Sequence, residues 1–234
     1  MIELTDRLHP HFQMILPAMM ELIEYAKGVS DDPEHLQNYL KKSVRMSSAW
    51  KITKQMLNPI HLCGGPVYVL PFLSPEYCYE LVEEARRLGR TYGWRPNPDE
   101  QAAYQIPEIV LAHADPSLAG EVQRLLPFLN VWIALAYQTE ASRIASIQFA
   151  KYTPDDTPNG NWHHDRDSQF SAVVSLAPEL HQGGGTELRE SVTKGLSVGP
   201  LQSGYMMLFN GKLIQHRGMA VERGVRHLLV FWLN

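Results

Sequence analysis

The spacing of apolar residues changes character near residue 61. Before it, apolar positions recur at helical intervals. HFQMILPAMMELIEYAKG, residues 11–28, predicts a helix ending at Gly28, a suitable C-cap. Pro17 either kinks this helix or marks its true start. SDDPEHLQNYLKKSVRMSSAWKITKQML predicts a second helix, with Asp32 as N-cap and Pro33 at the first helical position. Asn58-Pro59 breaks it. From residue 61 the texture is different. GGPVYVLPFL reads as a strand, and SPEYCYELVEEARRLG as a helix with Ser74 as N-cap, Pro75 at N1 and Gly89 past its end. GWRPNPDEQ is a loop, and DPSLAGEVQRLLPFLNVWIALAY a helical stretch broken near Pro127. RIASIQFAKY, SQFSAVVSLA, GYMMLFNG, LIQHRGMAV and VRHLLVFWL then read as strands separated by Gly/Pro turns, and HQGGGTELRE as a turn leading into strand, with His181 on the surface of that turn. Many short strands of this kind indicate a sandwich or barrel. The expected division is a helical extension over residues 1–60 and a mainly β domain with helices over 61–234.

Composition narrows the function classes. The chain has 234 residues, 44% of them apolar, and a net charge of -4. That is enough for one large core. No basic run stands out, so binding driven by nucleic-acid phosphates is not indicated. The cysteines, Cys63 and Cys78, have no metal-type spacing and read as reduced thiols. No signal-peptide pattern opens the chain and no apolar run is long enough to span a membrane. A cytoplasmic location is the expectation. The N-terminal helices offer a surface for packing or for a homodimer contact.

The segment NGNWHHDRDSQF, residues 159–170, concentrates metal-binding side chains. On an extended backbone, residues two apart share a face. His163 and Asp165 can therefore meet, while His164 points away and Asp167 fits a solvated loop. A lone His-x-Asp is weak evidence. His216, in LIQHRGMAV, supplies a third donor within the strand-rich half, and Arg226 follows ten residues later. A turn at ERG would make their strands a hairpin, or neighbours in a barrel. Arg226, Leu228, Val230 and Trp232 share one face. If it is inward, a guanidinium is buried there, which is costly unless an anion meets it. Two histidines, a carboxylate and open coordination positions describe the facial triad of non-haem Fe(II) oxygenases. A nearby arginine suits 2-oxoglutarate, whose remote carboxylate it can grip with two parallel hydrogen bonds.

On these residues the chain resembles the 2-oxoglutarate/Fe(II) dioxygenases of the prolyl and lysyl hydroxylase type, above all the procollagen lysyl hydroxylase catalytic domain. The resemblance is carried by FAKYTPDDTPNGNWHHDRDSQFSAVVSLA, GGGTELRE and GKLIQHRGMAVERGVRHLLVFW, with support from AAYQIPEIVLAHAD and VYVLPFLSPEYCYELVEEA. It spans about residues 66–234. It implies His163, Asp165 and His216 as iron ligands, Arg226 as the 2-oxoglutarate clamp and Tyr152 as a further cosubstrate contact. It implies a double-stranded β-helix, or jelly-roll barrel, with helices packed outside. Its chemistry would be hydroxylation of an unactivated C–H, of lysyl or prolyl type, in a peptide or protein, using O₂ and releasing succinate and CO₂. Ascorbate is implied as a stimulant. The alternative is a small-molecule oxygenase acting on a free amino acid or biosynthetic intermediate. The chain departs from the lysyl hydroxylases in an extra residue between Asp165 and Phe170, and in Ala177 where asparagine is usual.

Overall fold

A computed structural model describes residues 2–28, 34, 38–39, 41, 44–96 and 105–234. Its frame is a seven-stranded antiparallel sheet built from β1 (Ile60–Leu62), β2 (Gly65–Pro71), β3 (Glu108–Val110), β4 (Ile144–Tyr152), β5 (Phe170–Leu176), β9 (Tyr205–Asn210) and β12 (Arg226–Leu233). Their order across the sheet is β1-β2-β9-β5-β12-β4-β3. Two smaller ladders face it. One joins β10 (His216–Gly218), β7 (Thr186–Arg189) and β8 (Gly195–Val198). The other pairs β11 (Val221–Gly224) with β6 (His181–Gly183). The result is mainly β, with a large sheet and smaller facing ladders, as a double-stranded β-helix requires.

The large sheet has two different faces because successive side chains alternate. Phe149, Leu229, Val174 and Met206 stand opposite one another across β4, β12, β5 and β9. This row is buried in a core shared with Phe12, Phe72 and Trp132. One residue along, Gln148, Val230, Val173 and Met207 form the next row and face the barrel interior. The alternation read from β12 thus holds: Arg226, Leu228, Val230 and Trp232 all line the interior cavity.

Helices cover the first face. The helix Pro10–Gly28 buries Phe12, Ile15, Leu16, Met19 and Leu22 in the same core as the sheet. Pro17 lies inside this helix rather than at its start. The expected capping by Asp32 and Pro33 falls outside the described residues. Within the second predicted helix, Val44–Met56 is helical, and the chain leaves it before Asn58-Pro59. Ser74 caps the helix Pro75–Tyr92, its hydroxyl accepting from the Tyr77 N–H at 3.2 Å. That helix runs past Gly89 and ends at Gly93 instead. Gly89 serves packing rather than termination. Trp94 lies so close that a Cβ there would be 2.1 Å from its Nε1. The stretch 115–137 divides into the helices Pro116–Gln123 and Leu126–Tyr137, with Asp115 capping the first and Pro127 opening the second.

Two readings of the strand-rich half need correction. The strands of His216 and Arg226 are not a hairpin. β10 pairs with β7, while β12 lies between β4 and β5 in the other sheet. The residues read as a turn, Glu222-Arg223-Gly224, are in β11, which pairs with β6. His181 is not on a surface turn but half-buried at the start of β6, with burial and the Arg226 charge lowering its pKa.

Candidate active site

The backbone itself brings the two histidines together. His163 donates its N–H to the His216 carbonyl at 3.0 Å, and His216 returns the bond at 2.9 Å. This isolated antiparallel bridge ties the loop after β4 to the start of β10. The imidazoles then lie side by side, with centroids 4.3 Å apart. Asp165 follows two residues after His163, and its N–H is held by the Gly211 carbonyl at 2.9 Å. Its Oδ1 lies 3.5 Å from His163 Nε2, and its Oδ2 3.9 Å from His216 Nε2. One donor atom from each of the three residues lies within 4.8 Å of the others. It is the one such three-donor cluster among the described residues.

The surroundings aim these donors. His163 Nδ1 faces the Asn161 carbonyl at 2.8 Å, and His216 Nδ1 faces the Ile214 carbonyl at 3.1 Å. A carbonyl can only accept, so each contact keeps the proton on Nδ1 and leaves the Nε2 lone pair toward Asp165. Burial lowers the His216 pKa to about 4, against the pull of Asp165, so the ring is neutral at physiological pH. The Ser171 hydroxyl donates to Asp165 Oδ2 at 2.5 Å. Ser168 stands behind it, bonding Ser171 and accepting from the Leu233 N–H at 3.2 Å. None of these supporting groups was read from the sequence. Ser171 is fully buried on β5, which the sequence alone does not reveal.

Arg226 lines the same cavity. It is 6% exposed, and among the described residues no carboxylate pairs with it. One N–H donates to the Gly185 carbonyl at 2.8 Å, and the guanidinium lies 5.4 Å from the centre of the Tyr152 ring. Tyr152 is directly opposite Arg226 in the β4–β12 ladder, and both line the cavity. Two glycine features make this space. Gly183, Gly184 and Gly185 all have positive φ, which carries the chain around Arg226; a Cβ at Gly184 would lie 3.2 Å from the arginine Cδ. A Cβ at Gly218 would lie 2.9 to 3.1 Å from the Tyr152 phenol.

The triad, Tyr152 and Arg226 thus line one cavity of about 380 Å³. His164 also borders it but does not join the triad, and Asp167 borders it from an exposed position. Glu108, buried on β3, and Gln148 face it as well; the sequence did not single out either. His227 points to the other face, where it is buried 5.9 Å from the Trp94 ring. Two imidazoles and one carboxylate are a donor set suited to Fe(II), and three protein donors leave positions open. A buried guanidinium without a carboxylate partner suits an anionic ligand reaching from that metal.

No family model matches the chain. It is 25% identical over 178 residues to a multifunctional procollagen lysine hydroxylase and glycosyltransferase from Caenorhabditis elegans, covering 72% of this chain and 24% of that protein. The human protein LH3 of the same description is also 25% identical, over 72% of this chain and 23% of its own length. The chain thus spans about a quarter of the curated relatives it matches. Among solved structures, the Pseudomonas putida prolyl-4-hydroxylase superposes with a TM-score of 0.53 at 20% identity, covering 68% of this chain and 86% of that one. A Trichoplax adhaerens prolyl hydroxylase, in complex with a hypoxia-inducible-factor peptide fragment, gives 0.55 at 14%, covering 87% and 94%. A non-haem α-ketoglutarate-dependent carbocyclase of nogalamycin biosynthesis gives 0.57 at 13%, covering 77% and 83%.

Proposed function

We propose that this chain, which sorts by sequence likeness and fold with the 2-oxoglutarate/Fe(II) dioxygenases of the prolyl and lysyl hydroxylase type, hydroxylates an unactivated C–H of an amino-acid side chain in a peptide or protein. The observation that carries the reading is the meeting of a His-Asp-His triad and a buried arginine in one cavity. Residues 61–234 would form the dioxygenase domain, with residues 1–60 as an extension.

His163 Nε2, Asp165 and His216 Nε2 would hold Fe(II). Fe(II) with 2-oxoglutarate supplies the oxidising power, coupling O₂ reduction and release of succinate and CO₂ to C–H oxidation. The protein's part is placement. Arg226 would bind the remote carboxylate of 2-oxoglutarate, with Tyr152 bordering the same site. Ser171 steadies Asp165, and the Asn161 and Ile214 carbonyls keep both Nε2 lone pairs available. The apolar wall of Val173, Met207, Leu228 and Val230 limits water around the reacting bond.

Lysyl or prolyl side chains are the favoured substrates because the sequence match is to procollagen lysine hydroxylases and two of the structural neighbours are prolyl hydroxylases. A second reading, a small-molecule oxygenase, is favoured by the carbocyclase neighbour and by a non-haem α-ketoglutarate-dependent epimerase of the same biosynthesis. The test is to supply Fe(II), 2-oxoglutarate, ascorbate and air with lysyl peptides, prolyl peptides and the free amino acids. Succinate release coupled to gain of one oxygen atom on a peptide supports the first reading. Gain on a free amino acid only supports the second. No succinate above the level of His163→Ala with any substrate counts against both.

A further inference from the structure

We propose that Trp162 and Arg217, neither of them a ligand, act as positioning residues that lock the two histidine ligands in register. This rests on the metal site proposed above and adds a device to it. Trp162 immediately precedes His163, and Arg217 immediately follows His216. The Arg217 guanidinium lies 4.8 Å from the centre of the Trp162 ring, and that of Arg189 lies 3.8 Å from it. Both distances fall in the range of cation–π attraction. Arg217 is itself anchored: it stands opposite Glu187 in the β10–β7 ladder and donates from Nε at 2.7 Å and from Nη2 at 2.6 Å to Glu187 Oε2. The Glu187 carboxylate lies against Gly195, where a Cβ would be 2.2 Å from its Oε1.

The arrangement has a consequence for the metal site. The loop carrying His163 and Asp165 is joined to β10 by this isolated bridge and by one further bond, from the Gly160 N–H to the Gly218 carbonyl at 3.1 Å, rather than by a long ladder. So short a pairing specifies register less firmly than a long ladder, and a slip of one residue turns the ligands to the wrong face. Trp162, stacked across Arg217 and Arg189, adds a side-chain link between this loop and both β10 and β7. The chain Trp162–Arg217–Glu187 therefore continues sideways, through side chains, what the bridge begins through the backbone. Cross-strand pairs of this kind stabilise register, and groups that orient ligands contribute about tenfold or more to metal affinity.

The test uses Co(II) binding to metal-free protein, followed by visible absorption, with far-UV circular dichroism as the control for folding. Wild type, Trp162→Ala, Trp162→Phe, Arg217→Gln and the double variant Trp162→Ala/Arg217→Gln are compared. The expected result is about tenfold weaker Co(II) binding in Trp162→Ala. Trp162→Phe, which keeps an aromatic face, restores most of the affinity. Arg217→Gln is weakened in the same direction, and the double variant is no worse than the weaker single, because the residues act as one unit. If Trp162→Ala does not fold, Arg217→Gln decides, since its side chain is 38% exposed and its removal leaves the core intact. Affinities within twofold of wild type in the folded variants, or fully additive losses, overturn the clamp. Failure of wild type itself to bind Co(II) would instead remove the metal site on which the clamp rests, a separate outcome.

Discussion

The backbones of His163 and His216 hold each other by two hydrogen bonds, 3.0 and 2.9 Å long, although the residues are far apart in sequence. The candidate iron site is thus a feature of strand pairing before it is a feature of side chains. Asp165 is added by its own loop and is braced by Ser171. Removing that brace tests whether ligand orientation matters. In Ser171→Ala, Asp165 loses a 2.5 Å hydrogen bond in a buried setting. Fe(II) affinity is expected to fall about tenfold, and stability by about 1–3 kcal/mol. Anaerobic metal titration and urea unfolding read the two effects separately.

Arg226 should serve ligand binding more than folding. Its guanidinium is buried beside the Tyr152 ring with one hydrogen bond to the Gly185 carbonyl, and burial lowers its pKa. Arg226→Met keeps much of the volume and removes the charge. It is expected to cost no more than about 1 kcal/mol of stability while raising the 2-oxoglutarate requirement at least about tenfold. Arg226→Lys should not restore wild-type affinity, because an ammonium lacks the paired donors. The dependence of succinate formation on 2-oxoglutarate concentration measures both.

The Tyr152 pocket depends on a glycine. Gly218→Ala would press a methyl against the phenol, at 2.9 Å from its oxygen. Stability should drop by about 1–3 kcal/mol from overpacking. The displaced Tyr152 should also raise the KM for 2-oxoglutarate more than it lowers kcat at saturation. Steady-state kinetics with varied 2-oxoglutarate checks this.

Ala177 carries backbone strain. Its φ of 44 and ψ of 61 are left-handed, a conformation costly for residues with a Cβ and tolerated better by glycine and asparagine. This gives a physical reason why an asparagine there would be at ease. Ala177→Gly should therefore raise stability by up to about 1 kcal/mol, or leave it unchanged, where an ordinary buried Ala→Gly change would lower it. Thermal unfolding of the two proteins decides.

His227 predicts the direction of acid sensitivity. Burial, with Arg86 and Lys151 nearby, lowers its pKa from 6.5 to about 4. Between those values the unfolded chain binds the proton and the folded protein does not. Stability should thus be full above about pH 6.5 and decline as pH falls toward 4, by at most about 3 kcal/mol from this group. Buried His216 adds a change of the same sign in metal-free protein. His227→Leu should flatten part of the decline in urea midpoint between pH 6.5 and 4.

Much of this was legible in the sequence because the long strands are periodic. In β12 residues two apart share a face, so Arg226, Leu228, Val230 and Trp232 could be grouped by spacing, although which face points inward stayed conditional because both faces are mostly buried. His163 and Asp165 were selected by the same two-residue rule. The short elements were not legible. β3, β8 and β11 have three or four residues each, too few to show a period. The sheet membership of β10 and β12 is a long-range pairing that local pattern does not encode, and the hairpin reading failed for that reason. Gly89 looked like a helix end because glycine commonly marks one. Its close approach to Trp94 depends on tertiary packing. The hydrogen bonds of Ser171, Asn161 and Ile214 were hidden likewise, since each joins groups whose directions only the fold sets.

The central claim is that one cavity binds Fe(II) through His163, Asp165 and His216 and 2-oxoglutarate through Arg226. The most direct measurement is anaerobic titration of metal-free protein with Fe(II) and 2-oxoglutarate, watching for the weak visible charge-transfer band of the chelated cosubstrate. A band in wild type is expected, absent in His163→Ala and requiring more 2-oxoglutarate in Arg226→Met. No band in well-folded wild type, or an unchanged band in His163→Ala, would contradict the account.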